Sequence, residues 1–426
     1  MPDLRATLEG TVATVIAESL RRGELAQATA LARELLTKTV GLAVSEVSFT
    51  NDEYSLNSVS GRVVFVDSTV RFFKFHTEEG EQGNVAEYYR ARLLVDVGLP
   101  VDVPIAMSSQ PGSQLAVYAL RTEPRMADVC LDIERADGAR AALPPALLDA
   151  RRNLDRRIAD VMLSSLQPTT TPRASALHQL FGYRLFDEEG QFPGSRFKRW
   201  YVDDPAWAGL SRQRWRINGV EYASTLAEVA ESAADLLRPS AFATEPVVVA
   251  HGDDHHGNVW VAAEAGETNL VMFDLAFAGD DLPVLLAPIK ATFHNALAHP
   301  FWLYHPTEVA ELTPLVVDGD FIDIAVDLEL SPLRQAVLDS AHDLIWTPIL
   351  RQLSESGQLN NRWRSIIRAA LFACPMLVTN LLAGHRPPAA RWTGLARALM
   401  CGSEPLGGND PVSRMLDDLA AGIAKP

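Results

Sequence analysis

Apolar residues recur through the first forty positions at the spacing of a helix face. Leu4, Leu8, Val12, Val15 and Ile16 share one stripe, Gly23 interrupts it, and Leu25 to Leu36 resume it. Two helices are therefore expected over residues 4 to about 38, forming an N-terminal helical extension, 1–40. From Gly41 the texture turns to short Val- and Phe-rich runs: Ala43 to Thr50, Arg62 to Asp67 and Val70 to Phe75, the last two joined by a tight turn at Asp67-Ser68. They read as an antiparallel meander. A helix from about Gly83 to Val97 stops at Gly98, and Val101 to Met107 and Leu115 to Arg121 flank a turn carrying Pro111-Gly112. Three strands, a helix and two strands are thus expected over 41–122.

Over 123–426 the periodicity is mainly helical. Leu147, Leu154, Ile158 and Val161 form one stripe, and Trp363, Ile366, Ile367, Ala370 and Leu371 another. Within this region lies a short β-rich centre: Pro246 to Ala250, Val259 to Ala262 and Asn269 to Phe273, with Gly266 in the turn between the latter two. Phe186 to Trp215 reads as a loop-rich insertion carrying Trp200, Tyr201, Trp207 and Trp215, whose rings suit core packing better than a substrate wall. No internal repeat or low-complexity tract is visible. The fold class is α+β: a small β-meander lobe with one helix, then a larger, mainly helical lobe.

Length and charge narrow the function. A chain of 426 residues with 47% hydrophobic content exceeds one ordinary core, so two lobes are expected. Against 38 basic residues stand 54 acidic ones, a formal charge of −16 spread along the chain. That balance disfavours nucleic acid and anionic membrane surfaces and favours a neutral or cationic small molecule. Cys130, Cys374 and Cys401 are odd in number and far apart, which fits a reducing cytoplasm rather than a disulfide or zinc framework. No secretory signal follows Met1, and the longest apolar stretch, Ala369 to Ala383, contains Pro375, Thr379 and Asn380 and falls short of the ~20 residues that span a bilayer. The expected state is a cytoplasmic monomer or homodimer.

The densest chemistry is the run His251-Gly252-Asp253-Asp254-His255-His256-Gly257-Asn258, a polar loop between two predicted strands. Loops mounted on strands are where catalytic groups concentrate, and glycines there admit bends that other residues resist. Asp274 follows a hairpin that returns toward the loop, so Asp253, Asn258 and Asp274 are expected to converge. Oxygen ligands from Asn258 and Asp274 without a thiolate suit a hard cation such as Mg²⁺. The same histidines and aspartates admit a second reading, a metal-dependent phosphoesterase in which His251, Asp253, His255 and His256 with Asp274 hold transition metals and activate water.

His251-Gly252-Asp253-x-His255-x-x-Asn258 followed by Phe273-Asp274 after a hairpin resembles the aminoglycoside phosphotransferase and choline kinase group, which has a bilobal protein-kinase-like fold. The resemblance implies that Asp253 orients the acceptor hydroxyl and accepts its proton, that Asn258 and Asp274 hold Mg²⁺ against ATP, and that His251 is scaffold. It also implies a lysine on the third strand and a glutamate on the next helix, matched by Lys74 in Phe72-Phe73-Lys74-Phe75 and by Glu87. A lysine among phenylalanines is costly if buried unpaired, so phosphates and a glutamate partner give it a purpose.

Three features depart from the group's pattern. Its nucleotide-covering turn should lie over Asn51 to Gly61, where no G-x-G-x-x-G occurs; Ser58 and Ser60 are the small polar residues expected to offer phosphate contacts there. Past Asp274 the chain reads Gly279-Asp280-Asp281-Leu282-Pro283, so the group's later aspartate is absent or replaced by Asp280 or Asp281. Asp254 and His256 stand where an apolar residue and proline are commoner. The resulting expectation is an ATP-dependent kinase acting on a hydroxyl of a sugar, aminosugar or antibiotic-like acceptor. Alongside the phosphoesterase, a catalytically silent nucleotide-binding module is the remaining alternative. The acceptor pocket is expected to draw on Phe186 to Trp215 and on His294, Asn295, His299 and Trp302.

Overall fold

The computed structural model describes residues 12–50, 58–76, 87–108, 115–169, 175–264, 266–309, 316–318 and 321–424. Of the expected nucleotide turn, Asn51 to Gly61, residues 51–57 lie outside the described residues, as do the side chains of Ser58 and Glu87, and Ser58 to Gly61 belong to a strand. The chain divides into two compact units. The first runs to Glu123 and includes Val271–Ala276; the second comprises Pro124–Leu270 and the chain from Phe277 onward.

The first unit opens with helices α1 (Val12–Arg21) and α2 (Leu25–Val40). Gly41 ends α2 at φ 78°, its N–H returning to the Thr37 carbonyl, a left-handed cap that glycine adopts without strain. Five strands follow: β1 (Val44–Thr50), β2 (Ser58–Phe65), β3 (Val70–His76), β4 (Ala106–Met107) and β5 (Leu115–Ala119), with α3 (Glu87–Asp96) between β3 and β4. They form one antiparallel sheet in the order β1-β2-β3-β5-β4, the expected succession of three strands, helix and two strands.

Side chains alternate across a strand, and β3 uses this fully. Phe73 and Phe75 enter a core with Val44, Val63, Phe65, Leu115 and Val117. Ile16, Ala28, Ala32 and Leu36 of the two helices complete that core, so the helices and the sheet share one apolar interior. Phe72 and Lys74 fall on the opposite face, where Phe72 meets Tyr118 with ring centroids 6.5 Å apart. The three phenylalanines around Lys74 therefore do not surround it; two belong to the other side of the sheet.

In the second unit, β8 (Val247–Ala250) leads into the polar loop, and β9 (Val259–Glu264) with β10 (Glu267–Met272) makes the expected hairpin. Two findings differ from expectation. First, β11 (Gly279–Pro283) pairs antiparallel with β8, Gly279 opposite Ala250 and Leu282 opposite Val248, so the Asp280-Asp281 segment is a strand. Second, β6 (Arg214–Ile217), β7 (Val220–Glu221), β12 (Val316–Asp318) and β13 (Phe321–Ile324) form a further sheet in the order β12-β13-β6-β7, with β13 and β6 parallel. The Phe186 to Trp215 stretch is correspondingly more ordered than a loop: it holds helical turns at Ser195–Phe197 and Pro205–Leu210 before β6.

The helical body packs Leu226–Leu237, Trp363–Val378 and Pro388–Gly402 against one another. Thr225 starts the first of these with a reciprocal capping box, its hydroxyl accepting from the Glu228 N–H while the Glu228 carboxylate accepts from the Thr225 N–H. Tyr201, Trp207, Trp215 and Trp302 are buried in this unit as core residues. No helix among the described residues is long and apolar enough to cross a membrane.

Candidate active site

Each unit carries part of the candidate chemistry. In the second, β8 is buried, and its end delivers His251 to Asn258 into the interior: His251, Asp253, Asp254, His255, His256 and Asn258 are all less than 10% exposed. So many buried polar groups require partners, and the loop supplies them locally. His251 Nδ1 accepts from the Asp253 N–H at 3.3 Å, and His255 Nδ1 accepts from the Gly257 N–H at 3.1 Å. The His256 N–H donates to Asn295 Oδ1 at 2.6 Å, and Asn258 Nδ2 donates to the Asp253 carbonyl at 2.9 Å. Gly252 sits at φ 79°, and a Cβ there would come within 2.7 Å of the Phe277 carbonyl. Glycine is the residue that permits this bend.

These bonds hold the backbone of Asp253 and do not engage its carboxylate. Oδ1 is buried and accepts no hydrogen bond among the described residues. Two nitrogen-bearing side chains face it: the Lys290 ammonium, Nζ at 3.6 Å, and the His255 ring, Nε2 at 3.9 Å. Asn258 donates through its amide nitrogen, so this bond does not use its side-chain carbonyl oxygen. Asp254 and His256, which stand where the group's pattern is usually apolar, are not solvated. Burial pushes the Asp254 carboxyl above its ordinary range, an effect that His251 and Arg151 oppose. Burial, reinforced by Arg151 and Arg334, holds His256 well below 6.5, and its Nδ1 lies 3.7 Å from Cys130 Sγ.

The loop histidines are thus engaged in the protein's own architecture. Among the described residues no three His, Cys, Asp or Glu side chains gather as a metal-binding group.

In the first unit, Lys74 forms an ion pair with Asp274 Oδ2, both side chains being largely buried. Asp274 reaches it because Val271–Ala276 is held by this unit's own backbone: the Met272 N–H donates to the Pro100 carbonyl at 2.8 Å, and the Asp102 N–H donates to the Met272 carbonyl at 2.7 Å. Arg90 of α3 also donates to the Ala276 carbonyl. Asp274 adopts φ 63°, a left-handed conformation uncommon for residues other than glycine and concentrated at functional turns.

Ser60 lies opposite Lys74 in the β2–β3 register and is buried, its hydroxyl 2.9 Å from Thr50 Oγ1. Ser58 begins β2 and Glu87 begins α3. The structure therefore brings Lys74 together with Asp274, beside Ser60, and brings Asp253 together with Asn258.

Sequence reasoning did not single out Lys290. Its signal is a lone lysine in the apolar run Leu285 to Ala291, four residues before His294. His294 and Asn295 are hydrogen-bond partners of Lys290 and of the His256 N–H.

No protein-family model matches the sequence, and no curated protein does. Solved structures similar to this chain include a spectinomycin phosphotransferase in complex with ADP and spectinomycin, at 12% identity and TM-score 0.40, covering 92% of this chain and 98% of that one. A microcompartment-associated aminopropanol kinase is similar at 12% identity and TM-score 0.39, covering 93% and 99%. An amicoumacin kinase in complex with AMP-PNP and Ca²⁺ is similar at 15% identity and TM-score 0.38, covering 83% and 86%.

Proposed function

We propose that the protein is an ATP-dependent small-molecule kinase of the aminoglycoside phosphotransferase and choline kinase group, acting on a hydroxyl of a sugar, aminosugar or antibiotic-like acceptor. The observation that carries this reading is Asp253, a nearly buried carboxylate next to a glycine-enabled bend, whose backbone carbonyl accepts from Asn258 and whose Oδ1 faces the Lys290 ammonium without a hydrogen bond among the described residues, so that the carboxylate is held in place with its other oxygen available. A silent nucleotide-binding module has no need of such a group.

In phosphoryl transfer the acceptor oxygen forms a bond to the γ-phosphorus as the bond to the leaving ADP oxygen breaks, and the acceptor hydroxyl loses its proton. Asp253 aligns that hydroxyl and takes the proton, a duty for a fixed carboxylate rather than a strong base. Lys74 meets the α- and β-phosphates, with Glu87 assigned to hold it and the backbone at Ser58 and Ser60 assigned to nearby phosphate contacts. Asn258 and Asp274 are the residues that would hold Mg²⁺, whose chemistry is to neutralise phosphate oxygens.

The test is label transfer from γ-labelled ATP to a panel of hydroxylated sugars, aminosugars, amino alcohols and antibiotics. The wild-type chain is expected to label an acceptor. Asp253→Asn is expected to abolish transfer, a loss of at least about a hundredfold, while still binding ATP. Undiminished transfer by that variant would remove Asp253 from its assigned role.

A further inference from the structure

We infer that Lys290 is a positioning residue that sets the orientation of the Asp253 carboxylate and directs its Oδ2 to the acceptor. The catalytic consequence rests on the kinase reading; the geometric one does not. Lys290 lies in the helical turn Ile289–Thr292 and is 5% exposed, and its Nζ is 3.6 Å from Asp253 Oδ1. A buried ammonium in an apolar run is stable only with partners that use its charge and its N–H groups. Asp253 provides the charge.

The second partner fixes where the ammonium stands. Lys290 Nζ is 3.0 Å from His294 Nε2, one helical turn on, and His294 Nδ1 is 2.9 Å from the Tyr304 hydroxyl. Burial and the neighbouring Lys290 hold His294 well below 6.5, so the ring is neutral. A neutral imidazole accepts at one nitrogen and donates at the other. Since the ammonium can only donate, Nε2 accepts from Lys290 and Nδ1–H donates to Tyr304. His294 also closes over the loop, its ring centroid 5.2 Å from that of His255. The ring lies in the π-helical turn Phe293–Leu297, which is itself anchored: the Asn295 carbonyl accepts from Arg334 at 2.9 Å, and Arg334 is paired with the buried Glu134 at 2.7 Å.

This chain of contacts singles out one carboxylate oxygen. Oδ1 is the buried oxygen and the one that faces Lys290, which leaves Oδ2 to meet the acceptor hydroxyl. Lys290 acts through Asp253 and needs no contact with substrate.

The experiment compares the full-length wild-type chain with Lys290→Met, Lys290→Arg and Asp253→Asn, each checked for a cooperative melt. Release of labelled phosphate from γ-labelled Mg·ATP, with water as the only acceptor, gives kcat and KM whatever the natural acceptor is. Lys290→Met is expected to lower kcat by about tenfold or more with KM for Mg·ATP unchanged, because misplacing a reacting group by about 1 Å has effects of that order. Lys290→Arg, which keeps a cation beside Asp253, is expected to recover a large part of the rate. A folding defect alone would not produce that split. Crystal structures of wild type and Lys290→Met supply a second readout, independent of turnover: the Asp253 carboxylate is expected to leave its wild-type position.

If Lys290→Met keeps full kcat, or if Asp253 stays in place without the ammonium, the inference is overturned. With Asp253→Asn inactive, the kinase reading survives that result. Failure of the wild-type chain to bind Mg·ATP would instead overturn the kinase reading, and the crystallographic comparison would still decide the role of Lys290.

Discussion

At the scale of single residues, the ion pair of Lys74 with Asp274 gives the first unit its chemical character. Both side chains are mostly withdrawn from water, so their attraction is weakly screened, and the removal of either leaves a buried charge. Lys74→Met should therefore weaken Mg·ATP binding at least about tenfold, or about 1.4 kcal/mol. Titration calorimetry would measure this, and unchanged affinity would show that Lys74 does not meet phosphates. That Lys74 is a charge within an apolar strand was legible in the sequence. Its pairing with Asp274 was not, since 200 positions of chain separate them and no local pattern reports such a contact. Lys290 escaped notice for a related reason: one lysine in an apolar helix resembles a surface residue until its neighbours are known.

At the scale of elements, the polar loop depends on β8 and on the bend at Gly252. Gly252→Ala would place a methyl group against the Phe277 carbonyl in a backbone conformation that L-residues rarely adopt. The expected loss is about 1–3 kcal/mol in denaturant unfolding. Phosphoryl transfer should fall further than that loss explains, because Asp253 is the next residue. A variant with wild-type stability and activity would show that the bend is not required.

The strands β1, β2, β3, β8, β9 and β10 were legible because each carries its own apolar run. β11 has none: Gly-Asp-Asp-Leu-Pro becomes a strand only by pairing with β8. β6 and β13 similarly depend on a parallel partner more than a hundred positions away. Propensity is silent about elements that a tertiary neighbour creates.

At the scale of the whole molecule, buried histidines couple stability to pH. His178 lies in the second unit, 3% exposed, between the rings of Tyr183 and Phe242 at 6.3 and 5.6 Å. Burial lowers it from 6.5 to about 4. His299 is lowered likewise to about 4, and His256 and His294 are also depressed. Between pH 6.5 and 4 the unfolded chain binds a proton at position 178 that the folded chain refuses, so acidification favours unfolding. Stability rises with pH across that window and levels off above it.

From pH 7 to pH 5 the His178 contribution to the loss is about 2 kcal/mol. His178→Phe keeps the ring packing and removes the titration. Urea unfolding at the two pH values should therefore show a smaller acid-induced loss in His178→Phe than in the wild type, by about that amount. The other three histidines act in the same direction, so the variant should retain part of the acid sensitivity. Equal losses in the two proteins would place the proton uptake elsewhere, whereas a greater loss in the variant would reverse the sign assigned to this buried ring.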